Sequence, residues 1–240
     1  MIESNRKVVL LQIRDDRLAE EQERLCFLES CGLRPEELTS INIVSEPKLE
    51  WSQFAAADAI LIGGAGAHSA TERYEFSDSL DTVVKTVVEK GKPMFGSCFG
   101  HHFLAKALGG SLVTDHHLGE VGTFDIHLTE AGRSDPMLAG FPVDLPVQLG
   151  HHDYVKSLPD SMVELAFSDR CRYQLLRVTG KPIYCSQFHS EMSESHLRAR
   201  LEMYRDSYLR DQTTDEDSAF PLRPSPWSEK LLPRFFDLYV

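Results

Sequence analysis

The sequence predicts an α/β protein of three layers, with a mainly parallel central sheet, helices on both faces and a small antiparallel ribbon. Over the first 110 residues, short apolar runs rich in β-branched residues alternate with stretches of helical periodicity. Several of these apolar runs lead directly into glycines, as strands do before a tight turn. Beyond them, short strand-like segments follow one another with turn residues between, which is typical of antiparallel strands.

The parallel strands are predicted from continuous apolar runs, because strands buried on both faces lack alternation. These runs are 7–13, 40–44, 58–66 and 94–98. The segments 111–132 and 163–189 contain the shorter strands assigned to antiparallel pairing. The third and fourth runs end in "GGAG" and "GSCFG", so the sequence predicts tight turns at the carboxyl ends of both.

Helices are predicted where apolar residues recur every three or four positions. The predicted helices are 15–32, 79–93, 99–110 and 193–212. In the first, Asp15 is expected to cap the start and Gly32 to end it. Leu18, Leu25 and Leu28 are expected to share its buried face.

Residues 1–212 are predicted to form one domain, followed by a linker and a short tail over 213–240. The stretch 213–226 is polar and contains prolines. The final segment, 227–240, ends in a small apolar cluster suited to docking on the domain or on another chain.

Composition narrows the function classes. Hydrophobic residues make up 42% and charged residues 26%, as in a soluble globular protein. The net charge of −12 disfavours nucleic acid and anionic membranes as partners. No apolar run approaches the roughly 18–20 residues of a membrane span, and the N-terminus lacks a signal-peptide pattern. The 5 cysteines form no CxxC motif, so a reducing cytoplasm is the predicted location.

Cys98 lies between Gly96 and Gly100, where a predicted strand meets a predicted helix. A nucleophile elbow places Ser or Cys on such a turn, with small residues two positions before and after. The turn would raise the thiol above the carboxyl edge of the sheet, near a helix N-terminus that favours thiolate. The alternative is an inert buried cysteine, because cysteine is among the most buried residue types.

A base for this nucleophile is predicted far downstream, in "QFHSE". A cysteine nucleophile needs an imidazole to move protons, and the imidazole needs a carboxylate to orient it. His189 and Glu191 stand two residues apart at the end of a predicted strand. A His-x-Glu pair alone is common on surfaces, but its position after an elbow cysteine predicts a Cys98–His189–Glu191 triad.

These segments resemble the class I (triad-type) glutamine amidotransferase family. "FGSCFGHHFLAKALGG" and "SQFHSE" carry the resemblance, supported by "AILIGGAGAHSA" and "LGHHDYVKSLP". It covers roughly residues 7–208 and is closest to stand-alone relatives of the GMP synthetase glutaminase domain. The resemblance implies a flavodoxin-like core.

The resemblance also implies a reaction. Cys98 would attack the side-chain amide of glutamine or a related γ-glutamyl compound, giving a thioester and ammonia or an amine. His189 would be the general base and acid, and Glu191 would orient it. The backbone amides of Gly64 and Phe99 would hold the oxyanion. Among the residues implied to bind substrate are Gly63, His102 and His152, and the family needs no cofactor.

The sequence departs from the family pattern at three places. His102 replaces the usual glutamine four residues after the nucleophile. Ile62 and Ala65 flank the Gly63–Gly64 pair where the family has Ser and Pro, and Ser190 replaces a proline. An imidazole at position 102 would favour a γ-glutamyl compound other than glutamine, unless His102 packs under the loop.

Adjacent histidines occur at 101–102, 116–117 and 151–152. Neighbouring residues on a strand point to opposite faces, which is poor geometry for one ion, so no metal is predicted.

A free-standing hydrolase is the leading prediction, and a glutaminase subunit that delivers ammonia to a separate synthase chain is the alternative. A non-catalytic binding module of the same fold is a third. Chaperone-like hydrolases with a cysteine elbow are disfavoured because their histidine directly follows the nucleophile.

Overall fold

The computed structural model describes residues 6–204 and 220–240. Its strands are β1 Val8–Ile13, β2 Leu38–Asn42, β3 Ala59–Ala65, β4 Met94–Ser97, β5 Ser111–Thr114, β6 Glu120–Leu128, β7 Asp144–His151, β8 Asp153–Ser157, β9 Met162–Phe167, β10 Leu175–Val178 and β11 Ile183–Ser186. Its helices are α1 Arg17–Cys31, α2 Ser77–Lys90, α3 Phe99–Ala107, α4 Glu130–Arg133, α5 Glu194–Met203 and α6 Leu231–Tyr239.

Within the described ranges the strands form a nine-stranded sheet in the order β2-β1-β3-β4-β11-β10-β9-β6-β7. The half from β2 to β11 is parallel, and the remaining pairs are antiparallel. β5 and β8 make the separate antiparallel ribbon. The predicted α/β class is therefore confirmed, with an antiparallel extension of the sheet beyond β11.

Helices cover both faces of this sheet. On one face, α2 and α3 bury residues such as Val84 and Leu104 with Leu11 of β1. On the other, α1 and α6 bury Phe27 and Phe235 in a second cluster. Among the residues described, no helix combines the length and apolarity needed to cross a membrane. All 5 cysteines are described, and each is a free thiol.

Helix α1 differs in detail from its prediction. Asp16, rather than Asp15, caps it by accepting hydrogen bonds from the amides of the first turn, while Gly32 ends it in the left-handed conformation as expected. Leu18 is 71% exposed and Leu25 46% exposed, so their assignment to the buried face was wrong. The buried face includes the charged side chain of Glu23, which a search for apolar periodicity does not find.

The last helix belongs to the core of the described structure. Phe235 is fully buried, and its ring centroid lies 5.7 Å from that of Phe95 on β4. The hydroxyls of Tyr239 and Tyr184 are hydrogen-bonded at 3.0 Å. The tail therefore packs against the sheet; the boundary predicted at 212 lies outside the described residues.

The substitution Phe235→Ala is expected to lower the free energy of unfolding by about 3–5 kcal/mol, because it opens a cavity beside Phe95. Urea denaturation would measure it, with Leu238→Ala as control, since Leu238 is 40% exposed on the same helix. Equal stabilities for the two variants would show that α6 does not contribute to the fold in solution.

Candidate active site

Cys98 connects β4 to α3 in a strained turn. Its φ of 50° and ψ of −97° lie outside the conformations usual for a residue with a side chain. A Cβ on Gly96 would lie 2.7 Å from the carbonyl carbon of Gly100, and one on Gly100 would lie 2.6 Å from the carbonyl oxygen of Ile62. Both glycines are thus required by close backbone approach, as a nucleophile elbow demands.

His189 and Glu191 meet Cys98 at the carboxyl edge of the sheet. The His189 Nδ1 and the Glu191 Oε1 are 2.6 Å apart, and the side chain of Cys98 interacts with that of His189. Ser97 donates its hydroxyl proton to Glu191 Oε2 at 2.8 Å. The parallel pairing of β11 with β4 brings these segments together, although 94 residues separate Ser97 from Glu191.

The protonation states of His189 and Glu191 are set by their contacts with each other and with Cys98 and Ser97. Burial lowers the pKa of His189, but attraction to Glu191 and hydrogen bonds with Cys98 and Glu191 outweigh it and raise the pKa to about 9. Burial raises the pKa of Glu191, and the opposing effect of His189 and Ser97 leaves it below its usual value. An imidazolium between Cys98 and a carboxylate is the expected state near neutral pH.

A cavity of about 250 Å³ opens in front of the thiol. Its walls come from the segment after β3, the elbow, the ribbon and the end of β7. They include Ala65, Gly66, Ala67, His68, Ser69, Cys98, Phe99, His102, Thr114, His116, Gly150, His151, His152 and Asp153. The cavity is smaller than the roughly 300–1,000 Å³ usual for drug-sized ligands, so it suits a small substrate.

His102 lines this cavity and is also tied to the protein behind it. Its Nε2 lies 2.6 Å from Gln187 Oε1. Burial lowers its pKa to about 4, so the ring is neutral near neutral pH. Gln187 Nε2 has no hydrogen-bond partner as oriented, and turning the amide over would let it donate to the imidazole. His102 therefore lines the cavity and packs against the protein behind it, and its role in substrate binding stays a prediction.

The amides expected to hold the oxyanion differ in their surroundings. Phe99 begins α3, so its N–H has no partner within the helix. Gly64 adjoins the reacting groups, because a Cβ there would lie 2.8 Å from His189 Cε1 and 3.6 Å from Cys98 Cβ. Its N–H, however, donates to Glu23 Oε1 at 3.1 Å.

The other residues predicted to bind substrate divide between two places. His152 lines the cavity, with its ring centroid 4.6 Å from that of His116. Gly63 packs against Glu23, since a Cβ there would lie 2.5 Å from Glu23 Oε1, and it does not line the cavity. The substrate-binding role of Gly63 stays a prediction.

One buried group within the described residues has the composition of a metal site. Ligand atoms of Glu120, His151 and Cys171 all lie within 4.8 Å of one another. The Glu120 carboxylate already accepts hydrogen bonds from Ser168 at 2.8 Å and Gln174 at 2.7 Å, and lies 3.1 Å from His151 Nε2. These bonds satisfy the hydrogen-bonding capacity of the Glu120 carboxylate. The Glu120 and His151 side chains therefore belong to a polar network that holds β6 against β7.

A family model described as glutamine amidotransferase class-I matches residues 34–208. This chain belongs to that family. A curated relative from Archaeoglobus fulgidus, a subunit of its glutamine-hydrolyzing GMP synthase, is 31% identical over 154 residues, which cover 64% of this chain and 75% of the relative. The corresponding GMP synthase subunit of Methanosarcina mazei is 36% identical over 111 residues, which cover 46% of this chain and 57% of the relative.

A solved structure of a glutamine amidotransferase from Thermotoga maritima has the same fold. It superimposes with a TM-score of 0.75 and 20% sequence identity, over 97% of each chain. The likeness agrees with the predicted class I glutamine amidotransferase architecture.

Some residues of this amidotransferase site were missed from the sequence. Asp153 faces the cavity and accepts hydrogen bonds from Ser69 and Thr114, both at 2.6 Å. The "HHDYV" segment pointed to His152 and gave no sign of this network around Asp153. Glu23 lacked any signal, because a glutamate within "AEEQER" is typical of a solvated helix face.

Proposed function

We propose that this chain hydrolyses the side-chain amide of glutamine, or of a related γ-glutamyl compound, through a thioester on Cys98. The observation that supports it best is the buried contact of Cys98 with the His189–Glu191 pair at the mouth of a small cavity. Membership of the class-I glutamine amidotransferase family supports the same reaction.

In the first step the Cys98 thiolate attacks the γ-carbonyl carbon, and a C–S bond forms. The negative charge that develops on oxygen is stabilised by the Phe99 amide and the Gly64 amide. Each such donor is worth about 3 kcal/mol in the transition state. His189, protonated because its pKa is raised, gives its proton to the departing nitrogen. The C–N bond breaks, leaving the thioester and ammonia or an amine.

In the second step water enters the space vacated by the leaving group. His189, now neutral, takes a proton from this water as its oxygen attacks the thioester carbon. The C–S bond breaks, glutamate leaves, and the thiolate–imidazolium pair is restored. Glu191 keeps Nδ1 protonated throughout, so that the other ring nitrogen faces the reacting atoms.

The cavity walls suit the zwitterionic end of a γ-glutamyl group. Asp153 supplies a carboxylate opposite which an α-ammonium group can bind. His68, His116 and His152 supply ring N–H groups for an α-carboxylate.

The experiment that tests this proposal is release of glutamate and ammonia by the purified chain. It would be offered glutamine, then γ-glutamyl amides and γ-glutamyl peptides. Turnover of any of these that depends on Cys98 supports the proposal. Absence of turnover together with slow alkylation of Cys98 at neutral pH contradicts it.

We further propose that, if the chain alone hydrolyses glutamine slowly, it acts as a subunit that delivers ammonia to a separate synthase chain. This rests on the names of the relatives, which are subunits of glutamine-hydrolyzing GMP synthases. Rapid alkylation of Cys98 without turnover would support the role of a synthase subunit, whereas full turnover by the chain alone would favour the free-standing hydrolase.

His102 is expected to influence the choice of substrate. The substitution His102→Gln should shift the ratio of kcat/KM values toward free glutamine by about tenfold, because an amide replaces an imidazole on the cavity wall. Competition between glutamine and a γ-glutamyl dipeptide would measure this ratio. His117→Gln is the control, since His117 is exposed and outside the cavity. An unchanged ratio would make His102 a packing residue.

A further inference from the structure

A buried ion pair lies directly behind the reacting groups. Glu23 of α1 is 0% exposed and Arg14 is 3% exposed, and Arg14 Nη2 lies 2.5 Å from Glu23 Oε1. Gln12 donates to Glu23 Oε2 at 3.0 Å. The third partner of Glu23 is the backbone, because the Gly64 N–H donates to the same Oε1 that binds Arg14.

The contact with Gly64 matters because of where this glycine lies. A Cβ on Gly64 would lie against both His189 and Cys98, so its peptide borders the bond-making atoms. An oxyanion formed there needs an N–H aimed at it from about 2.7–3.1 Å. In the structure that N–H is aimed at Glu23 instead, and a hydrogen bond weakens steeply away from linearity.

We propose that Glu23 is a positioning residue that holds the Gly64 amide away from the oxyanion, and that the Gly63–Gly64 peptide turns to release it during turnover. This inference rests on the proposed function of Cys98. Two backbone amides, those of Phe99 and Gly64, are expected to hold the oxyanion. In the resting chain only the Phe99 amide is available to it. The second donor becomes available only when the hydrogen bond to Glu23 breaks.

The local sequence permits this movement. Turning a peptide plane changes ψ of one residue and φ of the next, and consecutive glycines allow both without steric penalty. Glu23 keeps Arg14 and Gln12 as partners when the amide leaves, so no buried charge is left without a counter-ion. A carboxylate accepts a hydrogen bond from an amide more strongly than a neutral oxygen does. This favours the state in which the Gly64 N–H donates to Glu23 until substrate arrives.

The competing explanation is that Glu23 serves only to neutralise Arg14 and to pack α1 on the sheet. The two explanations differ in what they affect. A purely structural role would change stability, or change substrate binding and catalysis together. A role through Gly64 changes the stabilisation of the transition state and leaves folding stability and substrate binding unchanged.

The variant Glu23→Gln weakens the contact while keeping its shape. We expect kcat to rise about tenfold, the fold-change that corresponds to weakening one hydrogen bond to a charged group. Binding of a γ-aldehyde analogue of glutamine, which forms a hemithioacetal with Cys98, should tighten by a similar factor. KM and the rate of Cys98 alkylation by iodoacetamide, which develops no oxyanion, should stay unchanged.

The matched control is Glu21→Gln, an exposed glutamate on the same helix, which should behave as wild type. An unchanged or lower kcat in Glu23→Gln, or a change in the alkylation rate equal to that in kcat, would overturn the role of Glu23. If wild type releases no glutamate and forms no hemithioacetal, the proposed function itself fails, and the inference fails with it.

A second measurement needs no substitution, since removing one partner of a buried ion pair can itself destabilise the fold. It is a crystal structure of the wild-type chain with the γ-aldehyde analogue. We expect the Gly64 nitrogen to lie within hydrogen-bond distance of the hemithioacetal oxygen and no longer of Glu23 Oε1. A Gly64 amide that still donates to Glu23 in this complex would overturn the proposal.

Discussion

Replacing Cys98 by alanine is expected to lower the rate of glutamine hydrolysis by about 10⁴-fold or more, because no other group in the cavity can form the thioester. The free energy of unfolding should change by no more than about 1 kcal/mol, since alanine keeps the Cβ and removes only a small buried sulfur. Glutamate release and urea denaturation of the same preparation measure the two quantities.

The control for this prediction is Cys31→Ala. Cys31 is 4% exposed on α1, and burial raises the pKa of its thiol, so it is an inert cysteine. Cys31→Ala should keep wild-type turnover. Wild-type turnover in Cys98→Ala would refute the thioester mechanism.

Replacing Glu191 by glutamine is expected to lower kcat by about 10²–10⁴-fold, because the amide no longer stabilises the imidazolium or fixes its tautomer. The high-pH side of the rate profile should move as well. Wild-type activity should fall as pH rises through about 9, where His189 loses its proton. Without the charge of Glu191 this fall should occur at lower pH.

Ser97→Ala is the matched control for Glu191→Gln, because it removes a hydrogen bond to the carboxylate and keeps its charge. It should lower kcat less than Glu191→Gln does and leave the high-pH limb near its wild-type position. A Glu191→Gln variant with an unshifted limb would show that Glu191 does not set the pKa of His189.

The same pKa has a consequence for stability. Folding raises the pKa of His189 from its ordinary 6.5 to about 9, so the folded chain binds this proton more tightly than the unfolded chain. The stabilisation is fully present below pH about 6.5 and is lost as pH rises through about 9.

The central part of the fold could be predicted because the sequence signals there are local. The apolar runs at β1, β3 and β4 mark buried parallel strands, and Gly96 and Gly100 mark the elbow. The Cys98–His189–Glu191 triad is a prediction from chemistry, since a cysteine nucleophile in this position needs an imidazole and a carboxylate.

The parts of the fold and of the candidate site that could not be predicted depend on contacts between segments far apart in the sequence. Glu23 belongs to the active-site region only because α1 packs beside β3, and its charge concealed its burial. Asp153 reaches Ser69 across 84 residues of sequence. The docking of α6 against Phe95 likewise leaves no mark on the sequence beyond a short apolar cluster.

The left-handed backbone of Cys98 has an evolutionary consequence. Glycine would adopt a φ of 50° freely, whereas cysteine there is held at an expense of about 1–2 kcal/mol. One nucleotide change converts a cysteine codon into a glycine codon, so a single mutation can relieve this backbone strain. A lineage that no longer used the thiol would drift to glycine at this position. Cysteine persists there only while selection acts on the chemistry, which makes position 98 a marker that separates working enzymes from relatives that kept the fold alone.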